Sequence, residues 1–178
     1  MASKCVAITV VASCCLAACG GGSGTSPAPL SGSSLSLEGG DGHPILRGTR
    51  LFTTDQMSFW AGVDCYENHI ELRIGELPNR WTIDLGAPRG QRLVAGTYGD
   101  ASRYPFNLSS NQPGISVTGE RRGCDDIGSF VVTDAQYSAS GAVQRFRATF
   151  QHQCERFPDW LRGEIQLVSP PGGQASCP

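Results

Sequence analysis

The chain has 178 residues, with 14 Lys plus Arg against 16 Asp plus Glu and a formal net charge of −2. That balance leaves no electrostatic footprint for nucleic acid, and the basic pair Arg121-Arg122 reads as a solvated turn rather than a phosphate site. The stretch from Leu35 to Val168 is long enough for one domain with a real core and too short for two.

In chain order, Met1-Ala2-Ser3-Lys4 supplies a short positive start, and Lys4 is the only lysine. Cys5 to Ala18 follows as an apolar run of small and β-branched residues. It is too short to span hydrocarbon, which takes ~20 apolar residues, so residues 1–18 read as a removable signal peptide. The run closes in Leu16-Ala17-Ala18-Cys19, which resembles the lipobox of bacterial lipoproteins in residue type, order and position. The resemblance implies cleavage before Cys19, a thioether-linked diacylglycerol on its sulfur, and acylation of the new amino group. Two or three acyl chains, at ~0.8 kcal/mol per buried methylene, anchor stably to a lipid bilayer where one would be marginal. Gly20, rather than Asp, after the lipidated cysteine implies delivery to the outer membrane.

Residues 19–34 are Gly, Ser, Thr and Pro with little apolar punctuation, the composition of a flexible tether. Period-two alternation then recurs without any long helical pattern. Ser33–Glu38, Met57–Asp64 and Leu93–Tyr98 are candidate strands, as is Ser129–Ala135. Ile70, Leu72 and Ile74 alternate with polar residues, as do Trp81, Ile83 and Leu85. Ile115 and Val117 flank Ser116, and Ile165 and Leu167 flank Gln166. Phe146, Ala148 and Phe150 share one face of a strand whose other face carries Val143, Arg145 and Arg147. Turn signals such as Leu77-Pro78-Asn79, Pro88-Arg89-Gly90, Tyr98-Gly99-Asp100, Pro113-Gly114 and Ser140-Gly141 separate these runs. About eight to ten short strands with short loops predict a single all-β domain over 35–168, an antiparallel sandwich or jelly roll. Phe157-Pro158-Asp159-Trp160-Leu161 is the one plausible helical turn, and residues 169–178 read as a tail without core character.

Of eight cysteines, Cys5, Cys14 and Cys15 leave with the signal and Cys19 is lipidated. Cys65, Cys124, Cys154 and Cys177 remain, and an even number in an oxidising compartment predicts two disulfides with three possible connectivities. The pairing Cys124–Cys154 with Cys65–Cys177 is preferred, the second bridge fastening the loose tail. Gly123-Cys124-Asp125, Gly128-Ser129-Phe130-Val131-Val132, Phe150-Gln151-His152-Gln153-Cys154-Glu155 and Leu161-Arg162-Gly163-Glu164-Ile165 resemble a domain of secreted and lipid-anchored proteins of GC-rich bacteria. An upstream echo is Trp81-Thr82-Ile83-Asp84-Leu85 with Leu93-Val94-Ala95-Gly96-Thr97-Tyr98. That family has no assigned activity, so the resemblance brings no catalytic residues. It implies that the Gly-Cys and His-x-Cys-Glu cysteines pair, which supports Cys124–Cys154; Cys65 and Cys177 fall outside it.

His152-Gln153-Cys154 offers a metal one nitrogen and one thiolate. Cys124 has no companion at short spacing, however, and an extracytoplasmic thiol tends to oxidise. The expectation is therefore a buried neutral imidazole beside a disulfide, with no metal and no cofactor. The acids Glu67, Asp84, Asp125, Asp126, Glu155 and Glu164 sit in no hydrolase motif, His43 lies in a Gly/Pro turn, and no Gly-x-Ser-x-Gly occurs. Asp125-Asp126 falls short of a calcium loop. Trp60 and Trp81 read as core residues within strands, and Trp160 is the least determined. The sequence thus predicts a non-catalytic binding or structural domain of the cell envelope, anchored through acylated Cys19, with an envelope protein or glycan as its possible partner. A carbohydrate-binding module would show exposed aromatics on one sheet face, and a small hydrolase would show two acids converging in a cleft.

Overall fold

The computed structural model describes residues 31–64, 68–109 and 111–174, so the expected signal peptide and lipobox, Glu67 and the expected Cys65–Cys177 bridge lie outside the described residues. Within them the chain is all-β. The strands run β1 (Ser34–Gly39), β2 (Gly48–Thr53), β3 (Phe59–Val63), β4 (His69–Ile74), β5 (Trp81–Gly86), β6 (Gly96–Arg103), β7 (Gly114–Gly119), β8 (Asp126–Tyr137), β9 (Val143–Cys154), β10 (Trp160–Val168) and β11 (Gly172–Gln174). A 3-10 turn at Phe106–Ser109 is the only helical element among the described residues.

The alternating segments become strands because one face of each finds an apolar partner across the fold. Ile70, Leu72 and Ile74, Trp81, Ile83 and Leu85, and Phe146, Ala148 and Phe150 are all buried. Four details differ from the pattern. Val143 turns inward with Phe146, because the ladder between β8 and β9 shifts register near its hairpin end. Tyr98-Gly99-Asp100 is not a turn but a bulge inside β6, with Asp100 at φ 51°. Trp160 and Leu161 open β10 rather than close a helical turn, and Gln153 Nε2 donates to the carbonyls of Phe157 and Pro158 to hold the preceding loop. Past residue 168 the chain rejoins the sheet, since Gly172–Gln174 pairs parallel with Ala61–Val63.

The sheet order is β11-β3-β4-β5-β7-β6-β8-β9-β10-β1-β2, a single continuous sheet rather than two separate ones. Most neighbours are antiparallel, while β11–β3 and β6–β7 are parallel. The β6 bulge bends that strand. Before the bulge it pairs with Phe130 to Val132 of β8, and past it Ala101 and Ser102 pair with Gly128 and Ile127 of β8 while Ser102 and Arg103 pair with Gly114 and Ile115 of β7. The sheet therefore curls, and its inward faces share one apolar core from Leu35 to Leu167. Phe52 of β2 meets Trp81 of β5 with ring centroids 5.9 Å apart, and Arg50 pairs with Glu120 beside them. Fully burying a side chain of this size contributes ~1.5–3 kcal/mol, so the shared core dominates the stability.

Candidate functional site

Two places in this fold bring chemistry-bearing side chains together. The first is a groove of about 630 Å³ on the outward face of β8, β9, β10, β1 and β2. It exists because the outward positions of those strands are polar and in register: Glu38 stands opposite Arg162, Ser36 opposite Glu164, Arg162 opposite Gln151, and Gln151 opposite Ser129. Leu51 and Val131, both exposed, mark its two ends. Beneath the groove Gly163 takes an inward position and makes room for the Phe150 ring, which lies 2.2 Å from where a Cβ would sit.

The groove holds one acid the sequence had offered, Glu164, and one it had not, Glu38. They occupy diagonal positions on adjacent strands, a spacing that ordinarily separates residues by ~7–8 Å. A glycosidase acid depends on an apolar pocket to keep its proton. Glu38 and Glu164 are exposed, and Arg162 stands opposite Glu38 across the ladder, which suits recognition of polar groups more than proton transfer. Trp160 shares the outward face of β10 with Arg162 and Glu164 and is 39% exposed. It is the lone tryptophan on that face. Trp60 lies on a different stretch of outer surface, half-buried beneath Arg73 at 4.3 Å, so it is not the core residue the alternation predicts. Trp81 is core, 1% exposed.

The second place is buried. Cys124 and Cys154 form a disulfide with Cα atoms 5.5 Å apart, as the preferred pairing has it. His152 lies beside it with no solvent exposure, and its Nε2 is 2.5 Å from Asp126 Oδ1. Asp126 also accepts the Ser116 hydroxyl at 3.1 Å and the Val117 amide at 3.5 Å. A carboxylate accepting from its other partners fixes His152 as the Nε2–H tautomer, donating to Asp126. Among the described residues its Nδ1 is buried without a hydrogen-bond partner. Asp125 and Asp126 thus part company, the first exposed and paired with Arg103 at 2.8 Å, the second buried. They form no calcium loop. Ser116, Asp126 and His152 are no hydrolytic triad either, because the hydroxyl bonds the carboxylate rather than the imidazole.

His43, which the sequence left in a turn, completes this cluster. Its ring meets His152 edge-on at 5.4 Å between centroids, and its Nε2 lies 4.0 Å from Cys154 Sγ. The turn is built to hold it. Gly42 donates its amide to Asp159, Gly40 donates to the Trp160 carbonyl, and Ile45 and Leu46 donate their amides to His43 Nδ1 at 3.3 and 3.4 Å. With Nδ1 an acceptor, the proton sits on Nε2 and faces the disulfide. Burial, and then the His152 imidazole, lower the His43 pKa from 6.5 to about 4, against smaller upward pulls from Asp159 and Asp126. The ring is therefore neutral at neutral pH.

Elsewhere, Asp84 accepts from His69 at 2.9 Å, and His69 stacks on Tyr104 at 3.9 Å. Burial and the nearby Asp64, Asp84 and Glu71 push the Tyr104 hydroxyl up to about 12. Glu155 is exposed at a strand end. No family model, curated protein or solved structure matches the chain.

Proposed function

We propose that the chain is a cell-envelope lipoprotein, held through acylated Cys19 to the outer membrane, whose β-domain is a non-catalytic binding module using the outward groove. The observation that carries the binding role is that groove, whose wall sets polar side chains in register on largely apolar surface across five strands. A site built on strands holds its side chains more rigidly than one built on loops. Arg162, Gln151, Thr149, Ser129, Ser36, Glu38 and Glu164 supply donors and acceptors along it. The anchor is supported by Leu16-Ala17-Ala18-Cys19 and by the Gly/Ser/Pro tether that follows.

A carbohydrate is the ligand class favoured by exposed Trp160, the outward neighbour of Arg162 just outside the groove's lining, with the indole as a stacking platform and the groove bonding hydroxyls. The test has two arms. Membrane fractionation of wild type and Cys19→Ala should move the variant to the soluble fraction, and unchanged partition removes the anchor. Glycan-array binding of the purified domain should be lost in both Arg162→Ala and Trp160→Ala. An array with no wild-type ligand removes the carbohydrate reading.

A further inference from the structure

Exposed disulfides are the labile ones, whereas buried structural disulfides resist reduction. Cys124–Cys154 is unevenly buried. Cys154 is 1% exposed, whereas Cys124 is only partly buried, next to exposed Gly123 and Arg122. Each sulfur also faces an imidazole: His43 Nε2 at 4.0 Å from Cys154, and His152 Nε2 at 3.9 Å from Cys124. The two rings are held differently. His152 Nε2–H is committed to Asp126, while His43 Nε2–H has its tautomer set by the Ile45 and Leu46 amides and is directed toward the buried sulfur.

We propose that Cys124–Cys154 is a reactive disulfide that exchanges with a low-molecular-weight thiol, Cys124 being the sulfur attacked and His43 the donor that stabilises Cys154 as leaving group. Thiol–disulfide exchange runs through attack of a thiolate on one sulfur, and its rate follows access to that sulfur and the stability of the departing thiolate. Access selects Cys124. A thiolate R–S⁻ forms a bond to Cys124 Sγ, the Sγ–Sγ bond breaks, and its electron pair goes to Cys154 Sγ. There the developing charge, in a dry interior that would otherwise penalise it, meets the His43 N–H. The product is a mixed disulfide on Cys124 and a thiolate on Cys154, which takes up one proton. A second thiolate attacking the outer sulfur of the mixed disulfide releases R–S–S–R and leaves Cys124 reduced. Overall, two thiols are oxidised by two electrons, and their two protons end on the two cysteines.

The same neighbours argue against a metal at this point. His43 Nδ1 already accepts two backbone amides, so its one proton must sit on Nε2, the nitrogen a metal near the sulfurs would need bare. A donor aimed at sulfur suits a thiolate rather than a cation. This also explains a buried histidine that the groove does not use.

The experiment is incubation of the whole chain with reduced glutathione under native conditions, acid quenching, and mass-spectrometric mapping of the adduct. A glutathione adduct on Cys124 with free Cys154, formed faster than global unfolding measured in parallel, is the expected result. An adduct on Cys154, or reduction no faster than unfolding, overturns the proposal. The variant His43→Asn keeps an oxygen acceptor for the Ile45 and Leu46 amides but removes the N–H. It should slow formation of the Cys124 adduct about tenfold under the same native conditions. An unchanged rate in a variant with native circular dichroism removes the role given to His43.

Discussion

The neutral, buried His43 makes the stability of this domain fall in mild acid. A histidine whose pKa is lowered on folding from 6.5 to about 4 binds its proton more readily in the unfolded chain. Its contribution is therefore complete above pH 6.5 and is lost as the pH falls toward 4. With those two values, moving from pH 7 to pH 5 costs about 2 kcal/mol, and the limit below pH 4 is about 3 kcal/mol. For a domain with ~5–15 kcal/mol in total, that is a large fraction. The groups acting on the ring, besides burial, are His152, Asp159 and Asp126. Urea unfolding followed by tryptophan fluorescence, at pH 7 and pH 5 without reductant, measures the loss. His43→Asn removes the titrating group while keeping an acceptor for the two amides of its turn, so the variant should lose about 2 kcal/mol less than wild type over this interval. An identical pH dependence in both proteins refutes the claim that His43 is buried neutral.

Three further outcomes test the rest of the structure. Replacing Cys124 and Cys154 together by Ala opens a loop whose ends are 30 residues apart, and chain entropy sets the loss at about 3.5 kcal/mol, read from urea unfolding with the slope fitted separately for each protein. Asp126→Ala leaves the His152 N–H and the Ser116 hydroxyl without their acceptor in a dry interior, so about 3–5 kcal/mol should go, and a loss under ~1 kcal/mol would mean the pair is solvated. Gly163→Ala drives a methyl group into the Phe150 ring beneath the groove and should cost about 1–3 kcal/mol by thermal unfolding, whereas Arg162→Ala on the same strand should stay within ~0.5 kcal/mol of wild type.

The strands were largely legible because half-buried strands write their burial into alternate residues. Ile70-x-Leu72-x-Ile74 and Phe146-x-Ala148-x-Phe150 could be read without knowing what covered them. Strand β2 could not, because most of an edge strand's side chains meet water, and Gly48 to Leu51 are all exposed. Nor could β11, whose three residues are held by the parallel backbone ladder to β3. The inward face of β9 carried His152 to Cys154 by the same alternation, so half of the buried cluster was visible. His43 was not: it is buried because its turn folds back onto β9, a contact spanning more than a hundred residues. The groove was invisible for a related reason, since Glu38, Gln151 and Arg162 meet only through pairing of β1, β10 and β9.

By itself, the sequence determined the all-β class and the placement of most strands. These are local properties, carried by neighbours a few residues apart. Only the tertiary structure decided that one sheet, bent at the β6 bulge, encloses a single core, and that a second imidazole stands at the buried sulfur of Cys124–Cys154. Those depend on which strands become neighbours, and hydrophobic alternation says which face turns inward without saying what it will meet there.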